Sequence, residues 1–225
     1  MCGIAGILSD QLKPGNDPRK IVKGMLDRIA HRGPDGSGIV ENHQFIFGHN
    51  RLAIIDLIQG KQPMCSNDLR YTITFNGEIY NYKELRKYLE KKGISFNTNS
   101  DTEVLLKLLI LEREDGIKRL NGMFAFAFHD RSDNSWIMSR DHFGIKPLYY
   151  TNHDSQIIFS SEIKAILSIP NINKIRARNE QALQEYLTFQ FCLEEKTLFK
   201  GIKKVKPGYY LIGKGSVIEK EVCFY

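Results

Sequence analysis

Apolar positions along this chain follow two patterns. From Asp17 onward Ile21, Val22, Met25, Leu26 and Ile29 recur every three or four residues, the buried stripe of an amphipathic helix. Asp17-Pro18 supplies its start, a side-chain acceptor at the N-cap and a proline at the first helical position. Asn81 to Glu84 and Ser100 to Glu103 both show capping-box spacing; the first opens a helix to Lys92 closed by Gly93, the second a helix to about Glu114. Glu162–Leu167 and Glu180–Phe189 read as further helices. The other pattern is that of strands, short runs of apolar, β-branched and aromatic residues. The opening Gly3–Ile7 run, Gly38–Val40, Gln44–Phe47, Arg51–Asp56, Tyr71–Phe75, Met123–His129 (apolar throughout), Trp136–Ser139, Leu148–Thr151, Gln156–Ser160, Tyr209–Ile212 and Val217–Val222 read this way. Between helix and strand, His31–Gly38 holds three glycines and a proline and reads as a loop that lets backbone approach a ligand or the chain terminus closely. Many strands and four or five helices without strict βαβ alternation predict an α+β fold with stacked sheets. With no repeat, low-complexity tract or linker, residues 1–225 read as one domain.

Composition narrows the function more than the fold. With 225 residues, 42% of them hydrophobic and 11% aromatic, the chain can bury a substantial core. No run approaches the roughly 20 apolar residues of a membrane helix, and the N-terminus lacks a basic region before its apolar stretch, so a cytoplasmic protein is expected. Cys2, Cys65, Cys192 and Cys223 show no C-x-x-C spacing and the six histidines no H-x-x-x-H, so no metal site is expected. A net charge of +6 invites a nucleic-acid reading, but acidic residues are interspersed almost everywhere, and Lys196–Lys206 reads as a solvated or docking face.

The candidate chemistry begins at Cys2. If Met1 is removed, this one residue carries a nucleophilic thiol and an α-amine, which at a pKa of about 7.7–8.0 can take the thiol proton. Asn76-Gly77 can place an amide N–H and a backbone N–H side by side, as an oxyanion hole requires. Asn-Gly after a strand is first of all a hairpin turn, but the Glu-Ile-Tyr-Asn that follows leads toward a helix. Arg51, on an otherwise apolar stretch, must face solvent or an anion, and its planar fork suits a carboxylate. Asp101 falls in a first helical turn, where the dipole favours negative charge with or without a ligand.

Taken together, several separated blocks resemble the glutaminase domain of class II glutamine amidotransferases of the asparagine synthetase type. They are Met1–Gly6, His31–Gly38, Arg51–Asp56, Asn76–Asn81, Ser100–Glu103, Gly122–Ala127 and Arg140–Tyr149, in family order from residue 1 to about 212. The resemblance implies the four-layer αββα sandwich of N-terminal-nucleophile hydrolases. It implies that Cys2 attacks the side-chain amide of L-glutamine through a thioester, and that Asn76 and Gly77 hold the oxyanion. Arg51 would take glutamine's α-carboxylate and Asp101 its α-ammonium, with Leu52, Ile55 and Glu78 completing the pocket. It further implies a partner, an ATP-dependent synthetase domain whose Ser-Gly-Gly-x-Asp-Ser loop is absent from these 225 residues. ATP and magnesium are expected there alone, and no cofactor here. Aspartate is the expected ammonia acceptor, with a sugar or other acceptor, or a glutamine-sensing role, as alternatives. No nucleic acid or membrane partner is expected, and a homodimer is left open.

Overall fold

The computed structural model describes residues 1–12, 17–56, 59–170, 172 and 175–225. Along the chain the elements begin with β1 (Gly3–Ser9), α1 (Pro18–Arg28), β2 (Gly36–Glu41), β3 (Phe45–Arg51), β4 (Met64–Cys65) and β5 (Tyr71–Ile79). They continue with α2 (Tyr82–Lys91), α3 (Asp101–Glu112), β6 (Gly122–Asp130), β7 (Ser135–Arg140), β8 (Tyr149–His153) and β9 (Gln156–Ser160). The last are α4 (Ile163–Ile166), α5 (Glu180–Phe189), β10 (Lys203–Lys204), β11 (Tyr209–Lys214) and β12 (Val217–Cys223). The strands form two six-stranded sheets, in the orders β10-β8-β9-β1-β3-β2 and β12-β11-β7-β6-β5-β4, and every neighbouring pair is antiparallel.

Side chains alternate between the faces of a strand, and here both faces are covered. Ile4, Leu8, Phe45 and Phe47 of the first sheet meet Ala125, Ala127, Trp136, Met138 and Leu211 of the second in a core between the sheets. The intervening Ala5, Ile7, Ile46 and Ile158 turn outward onto Val22, Met25 and Leu26 of α1 and Ala165 and Ile166 of α4. On the second sheet Phe124, Phe126, Phe128 and Ile137 turn outward onto Leu85 and Leu89 of α2 and Val104, Leu105, Leu108 and Leu109 of α3. The result is the expected four-layer αββα sandwich. It explains why Phe124–Phe128 of β6 is apolar without a break: each of these residues is buried on one side or the other, worth roughly 1.5–3 kcal/mol for a large side chain.

Several local expectations change. Arg51–Asp56 is not a strand. Arg51 is the last residue of β3, where pairing ends at Gly36↔Arg51, and the backbone beyond it leaves the sheet. There Ala53 N–H donates to Asp35 Oδ2 at 2.9 Å and Asp56 adopts φ 49°. The His31–Gly38 segment is shorter than a full loop: a 3-10 turn spans Ala30–Arg32 and β2 already starts at Gly36. At Gly33 a side chain would press within 2.3 Å of the Asn50 backbone, so the close approach is to β3. Asn76-Gly77 is not a turn either, because β5 continues to Ile79. Neither capping box closes. Asn81 instead donates to Arg119 O and accepts from Asn121 N–H, while Glu103 accepts from Asn97 and Thr98 N–H; only Ser100 caps, accepting from Glu103 N–H at 3.2 Å.

Candidate active site

Strand register carries distant residues to one end of the sandwich. Gly3 of β1 lies opposite Asn50 of β3, so Cys2 arrives beside the residues where β3 ends. Its Sγ lies 3.4 Å from Leu52 N and 3.5 Å from Leu52 O. From the other sheet, β5 brings Asn76, Gly77 and Glu78. Two hydrogen bonds tie the sheets at this point: Thr74 Oγ1 donates to Gly48 O at 3.3 Å, and His49 Nε2 lies 3.1 Å from Phe75 O. Gly77 pairs with Phe124 of β6, and a Cβ there would sit 2.1 Å from Met123 O, so glycine alone fits.

All eight residues singled out from the sequence line one cavity of about 160 Å³: Cys2, Arg51, Leu52, Ile55, Asn76, Gly77, Glu78 and Asp101. Asn76 is only 1% exposed, and neither its Nδ2 nor its Oδ1 has a hydrogen-bond partner among the described residues. A buried amide left this way costs on the order of 1–3 kcal/mol, a debt that an oxygen placed in the cavity would relieve. Arg51 Nη2 donates to Asp56 O at 2.6 Å and to Ile55 O at 3.4 Å, which shapes the wall beyond β3. Asp101, the first residue of α3, is 5% exposed and accepts from Ile79 N–H at 3.1 Å. Burial, with repulsion from Glu78, pushes its carboxyl up to about 6. The cavity therefore carries a cation at one side and a tunable anion at another, with a sulfur and a free amide between the two strands.

Burial also pushes the Cys2 thiol up, while the Leu52 N–H, the chain-terminal ammonium, Arg51 and Lys146 act in the opposite sense. Two residues with no role assigned from the sequence now stand near it. Arg32, 8% exposed, donates from Nε to Cys2 O at 2.9 Å and from Nη1 to Glu162 Oε1 at 2.9 Å, so it pins the backbone of the sulfur-bearing residue. Lys146 lines the cavity itself. Both lie inside sequence blocks quoted above, His31–Gly38 and Arg140–Tyr149, but only the assembled fold shows that Lys146 reaches the cavity and that Arg32 reaches the Cys2 backbone. Among the described residues no group of three or more His, Cys, Asp or Glu side chains is placed to hold a metal ion, and no helix is long and apolar enough to cross a membrane.

A family model described as a glutamine amidotransferase domain matches residues 1–223. Asparagine synthetase [glutamine-hydrolyzing] 1 of Bacillus subtilis (strain 168) is 45% identical over 209 residues, covering 92% of this chain and 33% of the relative. Asparagine synthetase [glutamine-hydrolyzing] 3 of the same organism is 41% identical over 215 residues, covering 94% of this chain and 34% of the relative. The chain thus spans about a third of the length of these curated relatives. Among solved structures, the glutamine phosphoribosylpyrophosphate amidotransferase of B. subtilis superposes over 100% of this chain and 49% of its own, with a TM-score of 0.71 at 21% identity, a likeness of fold.

Proposed function

The chain belongs to the class II glutamine amidotransferase domains, and on that premise we propose that its cavity hydrolyses the side-chain amide of L-glutamine through a thioester on Cys2. The observation that carries this reading is the placement of the Cys2 sulfur, on one sheet, across a single cavity from the unpartnered Asn76 amide on the other. Glutamine's head group needs one cation and one anion. Arg51 takes the α-carboxylate and Asp101 the α-ammonium, with Leu52, Ile55 and Glu78 walling the space between. The γ-amide is then presented to Cys2, and its oxygen, negative in the tetrahedral intermediate, receives the Asn76 Nδ2–H and Gly77 N–H. One such donor is worth roughly 3–4 kcal/mol.

The base is the α-amine of Cys2. While Met1 is attached that nitrogen is an amide and accepts no proton, and Met1 itself lines the cavity. Its removal both opens space and creates the base. The thiol proton then passes to the amine and sulfur attacks the γ-carbon. The protonated amine returns that proton to the departing nitrogen so that ammonia leaves, and water hydrolyses the thioester to release glutamate and restore the thiol. We further propose that the ammonia goes to an ATP-dependent synthetase unit that amidates aspartate, since the relatives are named asparagine synthetases; ATP and magnesium act in that unit. The domain reading of residues 1–225 as one glutaminase unit is part of the same proposal.

The test is ammonia release from glutamine by protein whose loss of Met1 is verified by intact mass. Cys2→Ala is expected to abolish release; release at the wild-type rate would overturn the assignment. Amide-¹⁵N glutamine supplied together with a synthetase unit, aspartate and ATP is expected to yield labelled asparagine; labelled ammonia released with no asparagine formed would overturn aspartate as the acceptor.

A further inference from the structure

The segment after β7 is held by two charged side chains. Arg140 donates from Nε to Lys146 O at 2.8 Å, from Nη2 to Gly144 O at 2.6 Å and from Nη1 to Val205 O at 3.0 Å. On the other side Asp141, 1% exposed, accepts on Oδ1 from Ile145 N–H at 2.9 Å and Phe143 N–H at 3.2 Å. Its Oδ2 accepts from Lys146 N–H at 2.9 Å and from Phe124 N–H at 3.1 Å. Gly144 has φ 66°, and a side chain there would lie 2.8 Å from the Arg140 guanidinium carbon, so the turn requires glycine. An anion thus fixes the N–H of Lys146 and a cation its carbonyl.

What this cage presents is an ammonium in the wall of the glutamine cavity. Lys146 is 5% exposed, and among the described residues its Nζ makes no hydrogen bond or ion pair. A lysine so buried is costly unless an anion meets it. The charged groups that face it are Cys2, Asp141 and Glu78, which favour its charge, and Arg32, which opposes it; burial pushes its pKa down. Facing Cys2 in turn are the chain-terminal ammonium, Arg51 and Lys146. Asp141 is occupied by four backbone donors; of the two groups that remain, Glu78 is a standing carboxyl group and Cys2 carries the anion that forms transiently in the same cavity.

We propose that Lys146 is an electrostatic partner of the nucleophile: its ammonium stabilises the negative sulfur formed when the Cys2 thiol proton passes to the freed α-amine. This rests on the glutaminase reading for its meaning, but its effect on the sulfur can be measured without glutamine. The rate of Cys2 alkylation by iodoacetamide is followed against pH on Met1-processed protein. Peptide mass analysis separates Cys2 from the free Cys65, Cys192 and Cys223. Lys146→Met is expected to raise the pH midpoint by about one unit and to lower kcat/KM for glutamine roughly tenfold at pH 7, a deficit that closes as the pH rises. Lys146→Arg is expected to restore the midpoint. Lys146→Gln carries the same expectation should circular dichroism show Lys146→Met unfolded. A midpoint unchanged in the folded neutral variant would overturn the proposal. Ammonia release by Cys2→Ala would overturn the glutaminase reading instead, and the alkylation midpoints would still judge Lys146.

Discussion

At Asp101, binding and stability pull in opposite directions. Its carboxyl, pushed up to about 6 by burial and Glu78, must be ionised to meet an ammonium. Because the folded value lies above the unfolded one, the favourable contribution of this group is present below the unfolded pKa and is lost as pH rises through about 6; at neutral pH the ionised form costs about 3 kcal/mol. Asp101→Asn, which keeps an acceptor for the Ile79 N–H, is therefore expected to melt higher than wild type at pH 7 in calorimetry. Its KM for glutamine should rise roughly 100-fold through loss of a charge-assisted pair. In wild type, KM should climb as pH falls below about 6, a trend missing from the Asn variant; a lower melting temperature for that variant at pH 7 would contradict this picture. Asn76 differs, since its amide has no partner to lose among the described residues. Asn76→Ala should lower kcat by roughly 10²–10³ with KM little changed, and an effect on KM alone would show that its amide does not act on the transition state.

Among the elements, β5 decides most. Its sequence carries an Asn-Gly pair that ordinarily makes a turn, and the local signal could not say otherwise, because what keeps the strand straight is its nine-residue pairing with β6. Gly77 is demanded by that neighbour: Gly77→Ala would drive a methyl against Met123 O and Phe124 Cα, and a loss of about 1–3 kcal/mol is expected. Thermal unfolding measures it, and an unchanged midpoint would mean that β6 yields freely. The apolar runs of β1, β6 and β9 and the stripe of α1 were legible from sequence, because burial on both faces of a strand and one face of a helix writes itself into residue type. The end of β3 was not legible. Arg51–Asp56 has strand composition, yet β2 and β1 supply no further partner beyond Arg51 and Asn50, and pairing is a non-local property. The capping boxes misled for a related reason, as Asn81 and Glu103 found partners in other loops.

Across the whole molecule, the site exists only where two sheets meet. Cys2 and Arg51 come from one and Asn76 and Gly77 from the other, so their separation depends on the ties between Thr74 and Gly48 and between His49 and Phe75. Burial lowers the His49 pKa to about 4, which keeps the ring neutral. The native state therefore binds fewer protons here than the unfolded chain, and stability is lost as pH falls from about 6.5 toward 4. His49→Gln should flatten that part of the stability curve measured by urea unfolding, and a curve of wild-type slope would remove His49 as its source. Cys2, Arg51, Asn76 and Asp101 were legible as candidates through the separated blocks that resemble a glutaminase domain; by residue type alone Asp101 is an ordinary first-turn carboxylate and Asn76-Gly77 an ordinary turn pair. Arg32 and Lys146 were not, since a cation gains meaning only once its surroundings are assembled, the Cys2 carbonyl and Glu162 for Arg32 and the cavity for Lys146. Whether the sulfur and its cradle work together is tested most directly by intact mass after exposure to a diazoketone analogue of glutamine. One adduct is expected, on Cys2 of Met1-processed protein, suppressed by excess glutamine and absent from Cys2→Ala. Labelling that ignores glutamine, or that falls equally on Cys65, Cys192 or Cys223, would contradict a glutaminase site at this cavity.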